Sequence, residues 1–271
     1  MLSETRRLNI VNLLANDLTK AVSVAELSER LGVSEMTIRR DLDWLAERSL
    51  VTRVHGGAVA FQGPEIEKAF TDRLGDSGPQ KKSVGWAAAQ LVRDGDRIIL
   101  DAGTTTQQVA GNLTCHQNLT VITNNLPIVD HLAHCAEIDT IVLGGMLKRQ
   151  ELCTVGPMVT QALSSLTADL FFLSTAGFSL ECGATDPDMR EAEVKQAMIA
   201  CARKVILVAD SRKYGIDKLV KIAPLTSVHT IVTDDSLPSE TVTELEAAGL
   251  EVLTPQRMAA RTIRESNPTP R

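Results

Sequence analysis

Between residues 22 and 60, apolar positions first recur at helical spacing and then alternate. Leu27 and Leu31, four residues apart, form one stripe and predict a helix over roughly Val24 to Leu31. Gly32 follows at once and suits the left-handed turn that ends a helix. Ser34 then stands where an N-cap belongs, its hydroxyl able to accept from a first-turn amide. At about 100° per residue, Ile38, Leu42 and Leu45 fall within about 60° of one another, which predicts a second helix with that face buried. Arg40 lies almost opposite, Met36 beside it, and Thr37 and Arg39 flank the same outer half. Leu50 to His55 alternates like a strand, and Gly56-Gly57 suits a hairpin tip that leaves Arg53 and His55 on the exposed side.

From residue 84 the pattern changes. Short β-rich runs at Arg97–Leu100, Leu119–Thr123, Thr140–Leu143, Leu170–Ser174, Val205–Ala209, Thr230–Thr233 and Glu251–Leu253 alternate with helical stretches such as Lys82–Val92 and Arg190–Ala202. This alternation predicts an α/β unit with a mostly parallel sheet and helices on both faces. Gly63-Pro64 and Gly75-Asp-Ser-Gly-Pro79 break every periodicity, so residues 61–82 are expected to be a linker. Pro268 and Pro270 in a stretch of few apolar residues predict a mobile tail over 258–271. The expected organisation is therefore a small domain at 1–60, a linker at 61–82, a larger domain at 83–257 and a tail.

Two short helices, a tight turn and a β-wing are the layout of a winged helix-turn-helix, whose second helix enters the DNA major groove. An outward Thr/Arg set at that helix's N-terminal half is chemistry for base edges and phosphates of double-stranded DNA. Arg39 has Glu35 and Asp43 at i−4 and i+4, so intrahelical pairs compete for it, whereas Arg40 has no acid at i±4. Residues 1–60 hold 8 Lys/Arg and 8 Asp/Glu. A helical hairpin with a merely solvated charged face fits that neutral balance as well.

In parallel sheets ligands bind at the carboxyl ends of the strands. Five of those ends are polar or glycine-rich here: Asp101-Ala-Gly-Thr-Thr-Thr106, Thr123-Asn-Asn125, Gly144-Gly145, Thr175-Ala-Gly177 and Asp210-Ser-Arg-Lys-Tyr-Gly215. At the first, Gly103 allows close backbone approach, and Thr104, Thr105 and Thr106 open a helix whose amides and dipole favour an anion such as phosphate. Plain helix capping explains the threonines equally well. Neither a P-loop nor a dinucleotide fingerprint is present.

The formal charge of −6 falls after residue 60, so the larger domain is acidic and not itself a nucleic-acid surface. Five scattered cysteines with no Cys-x-x-Cys spacing suit a reducing, cytoplasmic setting. No signal sequence is recognisable and no apolar run approaches the ~18 residues of a membrane span, so no membrane partner is expected. Aromatics at 3% argue against base stacking. His131 and His134 have no third ligand at metal spacing, and Cys153 reads as a small buried residue. Neither a metal nor a cofactor is expected.

Thr-Ile-Arg-Arg-Asp-Leu at 37–42 and Arg-Val-His-Gly-Gly-Ala at 53–58 closely resemble the helix and wing of the DeoR family of bacterial transcription regulators. Leu-Asp-Ala-Gly-Thr-Thr, Thr-Asn-Asn, Gly-Gly, Val-Gly-Pro, Glu-Ala-Glu-Val-Lys and Asp-Ser-Arg-Lys-Tyr-Gly resemble that family's sensor domain, in the same order. The resemblance spans roughly residues 3–255. It implies a sensor fold similar to ribose-5-phosphate isomerases and CoA-transferases, and a phosphorylated sugar as effector. Carried over by position, Gly103 to Thr106 would hold the phosphate and Asn124 and Asn125 would face sugar hydroxyls. Asp101, Asp186, Glu193 and Lys213 would line the rest. The function implied is a sequence-specific regulator, a repressor by resemblance, of a carbohydrate operon. Paired half-sites make a homo-oligomer, dimer or higher, the expected state. The alternative is a sugar-phosphate isomerase or CoA-transferase-like enzyme with a DNA-binding appendage. Against it, Thr175-Ala-Gly-Phe178 carries no carboxylate where similar isomerases place an Asp-Gly-Ala-Asp string.

Overall fold

The structure, a computed structural model, describes residues 3–15, 22–47, 50–54, 56–60, 70 and 78–266. The chain divides into two compact units, Met1–Glu67 and Lys68–Arg271.

The first unit contains α1 (Ser3–Ala15), β1 (Val22–Ser23), α2 (Val24–Leu31), α3 (Glu35–Glu47), β2 (Val51–Val54) and β3 (Gly57–Ala60). Ser23 caps α2 by accepting the Glu26 N–H, and Gly32 ends it at φ 64°, its N–H returning to the Ser28 carbonyl. Ser34 Oγ accepts the Thr37 N–H at 3.3 Å, the expected cap of α3. Ile38, Leu42 and Leu45 are buried with Leu27, Ile10, Leu14, Val51 and Ala58 in one core. The wing is a three-stranded antiparallel sheet in the order β1-β3-β2. A Cβ at Gly57 would lie 2.2 Å from the Val22 carbonyl oxygen, so only glycine lets β3 approach β1 there.

In the second unit, seven strands form one sheet in which every neighbouring pair is parallel. They are β4 (Arg97–Leu100), β5 (Leu119–Thr123), β6 (Ile138–Val142), β9 (Ala168–Ser174), β12 (Ala202–Val208), β14 (Thr230–Val232) and β15 (Glu251–Leu253). Alternate residues feed two cores. Ile98, Leu100 and Phe172 enter one, with Val84 and Ala88 of α4 (Pro79–Ala89). Ile99, Phe171 and Leu173 enter the other, with Val194 and Met198 of α8 (Met189–Cys201). Cover on both faces is why these strands read as continuous apolar runs. The sheet order is β15-β14-β12-β9-β4-β5-β6. The chain therefore leaves β4 toward β5 on one side and later fills the other side from β9 outward. The junction of β4 and β9 is the topological switch point, the place where parallel sheets of this kind bind their ligands.

Five smaller strands were not foreseen. β7 (Met146–Lys148) and β8 (Cys153–Val155) form a hairpin, and β10 (Gly177–Ser179), β11 (Gly183–Asp186) and β13 (Val220–Ala223) form a three-stranded sheet. Two expected segment limits also change. The expected linker ends early, because Gly78-Pro79 opens α4 with proline in its first turn, where a missing N–H costs nothing. Within that stretch Phe70 is buried and its N–H donates to the Gln150 carbonyl; most of 61–77 lies outside the described residues. The expected tail is instead helical as far as Ser266, in α10 (Pro255–Ser266). Met258 is buried in the core shared with α4, and Arg261 pairs with Glu251 at 3.2 Å, contacts that repay the ordering of this segment.

Candidate functional site

In the first unit, α3 presents Met36, Arg39 and Arg40 to solvent on the face opposite its buried stripe. Ser34 and Thr37 hydroxyls lie 3.0 Å apart at its start, forming a small polar cap beside them. Arg39 pairs with Glu35 at 3.2 Å. The other acid expected to compete for it, Asp43, pairs instead with Arg53 of the wing at 3.3 Å, so wing and helix are tied to each other. Arg40 makes no ion pair among the described residues. His55 lies outside them. Sequence reasoning passed over Asp41, which is 2 % exposed and receives the guanidiniums of Arg6 and Arg7 from α1.

In the second unit, the five polar strand ends belong to five adjacent strands, β12, β9, β4, β5 and β6, and so share one rim. At the switch point the Ser174 side chain packs onto the Gly103 backbone: a Cβ on Gly103 would lie 2.3 Å from Ser174 Oγ. Asp101 fixes this junction. One of its oxygens accepts the Ala102 N–H at 2.7 Å and the other the Ser174 N–H at 3.0 Å. Thr104, Thr105 and Thr106 open α5 (Thr104–Ala110) and are all buried. Thr106 donates to the Asp101 and Gly103 carbonyls, so its role is local capping. Among the described residues, no hydrogen bond occupies the hydroxyls of Thr104 or Thr105.

Beneath the rim lies a buried charge cluster. Lys195 of α8 reaches Asp186 at 2.7 Å, Asp101 at 3.5 Å and the Ser174 carbonyl at 3.1 Å. Lys148 of β7 pairs with Glu191 and, at 3.1 Å, with Asp188, which Arg190 also holds at 2.7 Å. Burial opposes the Lys195 charge, but Asp101, Asp186 and Glu191 outweigh it and raise its pKa well above the ordinary value. Burial pushes the Asp101 carboxyl up to about 6, with Lys195 pulling the other way. Burial likewise raises Glu191, and burial together with the Glu191 and Asp101 carboxylates raises the Cys153 thiol, which stays protonated as a small core residue. The Arg190 hydrogen bond holds Asp188 well below the usual carboxylate range.

The expected site residues divide. Asp101, Gly103, Thr104, Thr105, Thr106, Asn124, Asp186 and Lys213 sit at the described strand ends. Lys213 donates to the Thr175 carbonyl, at the end of β9. Asn124 donates to the Thr154 carbonyl at 2.8 Å, while its Oδ1 is buried with no partner among the described residues. Two expectations need correction. Glu193 is exposed; Glu191 and Lys195, four apart, face inward with Val194 and Met198, and residue 193 is turned about 200° from 191. Asn125 is fully buried and committed elsewhere: its Oδ1 accepts the Ile128 N–H as the cap of α6 (Leu126–Leu132) and its amide donates to the Glu151 carbonyl. The helical spacing of Val194 and Met198 was a signal for Glu191 and Lys195. Nothing local signalled Lys148, which a tertiary hairpin brings in.

A winged helix-turn-helix followed by a parallel α/β unit is the architecture of a DNA-binding regulator with a second, separate domain. Residues 6–62 match the DeoR-like helix-turn-helix domain and residues 77–235 the DeoR C terminal sensor domain. The chain is 33% identical over 253 residues to the HTH-type transcriptional regulator GlpR of Haloferax volcanii, spanning 93% of this chain and 98% of that one. It is 32% identical to the HTH-type transcriptional repressor CsqR of Escherichia coli (88% of this chain, 91% of that one). A putative aga operon transcriptional repressor of Escherichia coli O157:H7 is also 32% identical (86% and 87%). The chain belongs to the DeoR family and is a DNA-binding transcriptional regulator, not an enzyme. Among solved structures, ribose 5 phosphate isomerase A from Neisseria gonorrhoeae aligns at a TM-score of 0.37 and 12% identity, over 51% of this chain and 54% of that one; so loose a likeness carries no argument. No helix among the described residues is long and apolar enough to cross a membrane.

Proposed function

We propose that the chain represses a carbohydrate-metabolism operon and leaves its operator when a phosphorylated sugar binds at the β4–β9 switch point. Ser34, Met36, Thr37, Arg39 and Arg40 of α3 would meet the major groove, and Arg53 and His55 of the wing the adjoining backbone, as a dimer or higher oligomer on paired half-sites. The observation that carries the effector reading is the partition of polar groups around the switch point. The Thr104 and Thr105 hydroxyls and the α5 amides follow β4, and the Lys213 ammonium follows β12 and reaches the end of β9 beside it; together they would suit a phosphate. The Asn124 Oδ1, without a partner among the described residues, offers an acceptor, which suits a sugar hydroxyl. A relative named as an aga operon repressor is consistent with an operon of this kind.

The test is calorimetry of the full chain against pentose and hexose phosphates and the same sugars unphosphorylated. The reading expects saturable binding of at least one phosphate and little binding of its parent sugar. A parent sugar that binds as well as its phosphate would remove the phosphate from the proposal.

A further inference from the structure

Asp41 sets a buried negative charge on the flank of α3, beside its apolar stripe. It is 2 % exposed, and both carboxylate oxygens are taken, one by Arg6 Nε at 2.5 Å and the other by Arg7 Nε at 2.8 Å. Both arginines come from α1, so one side chain of the recognition helix is clamped from two positions of another helix. The clamp has a third point. The Arg7 guanidinium lies 4.1 Å from the ring centre of Trp44, one turn further along α3, at stacking distance. At about 100° per residue, Asp41 lies about 60° from Ile38 in the buried stripe and about 100° from Arg40 on the solvent face. Rotation of α3 about its axis would move Arg40 and break the clamp together.

We propose that Asp41 is a positioning residue that sets operator specificity. It fixes the rotation of α3, and hence the aim of Arg40, and its single negative charge offsets one unit of the positive charge that Arg6 and Arg7 bring, which would otherwise add sequence-independent attraction to phosphates. The second effect follows from the charge balance: the first 60 residues have as many acids as bases, so removing one buried acid exposes uncompensated positive charge. Base contacts depend on the placement of a few atoms, whereas phosphate attraction tolerates misplacement. Loss of the clamp should therefore degrade discrimination more than affinity at large.

The experiment uses the full chain, a duplex selected from a random pool by the wild type, and a scrambled duplex of the same composition. For Asp41→Asn the ratio of selected to scrambled affinity should fall about tenfold or more. Binding to the scrambled duplex should hold or strengthen, with a log–log salt slope steeper by about 1–2. Arg6→Lys with Arg7→Lys keeps the charge but loses the planar fork and the stacking, so the ratio should fall with the slope unchanged. This pair also decides the matter if Asp41→Asn does not fold. A ratio that stays at the wild-type value, including one in which both affinities fall together, would overturn the positioning role. A ratio that falls in Asp41→Asn with an unchanged salt slope would overturn the neutralising role.

Discussion

Lys195 stands 2.7 Å from Asp186, and both side chains are almost wholly shielded from water. Removing one partner of such a pair leaves an uncompensated buried charge, and here Asp101 would be stranded as well. Lys195→Met should destabilise the second unit by about 3–5 kcal/mol, the range for breaking a buried pair. Urea unfolding followed by circular dichroism measures this, and a change under about 1 kcal/mol would mean that water reaches the cluster.

The raised pKa of Asp101 has a definite sign in stability. Its carboxyl holds a proton more tightly in the folded chain than in the unfolded one, where ionisation falls near 4. Its contribution is therefore complete below that value and is lost as pH rises through about 6. Asn at this position mimics the protonated form. The stability of the wild type relative to Asp101→Asn should fall between pH 4 and pH 7, with Glu191, also raised by burial, common to both proteins. Paired unfolding curves at pH 4, 5, 6 and 7 check it. A difference that is flat or rises with pH would contradict the assignment.

Much of this was legible in the sequence, and the exceptions share a cause. The central strands of the parallel sheet were visible because burial on both faces demands unbroken apolar runs such as Leu170 to Leu173, and the edge strands β6 and β15 because β-branched residues stand between turn signals. β7, β8, β10, β11 and β13 were not, because three or four residues of mixed polarity, Met-Leu-Lys or Gly-Ala-Thr-Asp, carry no periodicity and order only against partners distant in sequence. The residues of the sensor site were found where their strand end was distinctive, as at Asp101 to Thr106. They were misplaced where side-chain direction mattered: Glu193 for Glu191, and Asn125, whose place just before Leu126-Pro127 is that of a helix cap. Asp41 was quoted within a motif without a role, since its partners Arg6 and Arg7 lie more than thirty residues away.

Arg40 lies opposite the buried stripe of α3 and has no ion-pair partner among the described residues. Arg40→Ala should weaken binding to a duplex selected by the wild type by about 1–3 kcal/mol and relax preference at one base position, leaving effector affinity unchanged. Fluorescence anisotropy with single-base variants of the duplex reads both. Equal affinity of mutant and wild type at one salt concentration would count against a base contact.

Thr105 follows β4 and Lys213 follows β12, and the proposed phosphate would meet both. Thr105→Val and Lys213→Ala should each weaken a bound sugar phosphate by about 1–3 kcal/mol, the scale of a hydrogen bond to a charged group. Binding of the unphosphorylated sugar should hardly change. Calorimetry on the two variants checks this, and an equal loss for both ligands would assign these residues to folding rather than to the phosphate.

Coupling of the sensor site to DNA binding is tested most directly by titrating the complex of the full chain and a fluorescent selected duplex with sugar phosphates, following anisotropy at fixed salt. A phosphate that binds the full chain calorimetrically should lower the anisotropy to that of the duplex alone. The same sugar without phosphate should leave the complex intact, and Lys213→Ala should shift release to higher concentration. If that phosphate binds the protein but the duplex stays bound at saturation, the sensor site does not control repression, and the account is contradicted.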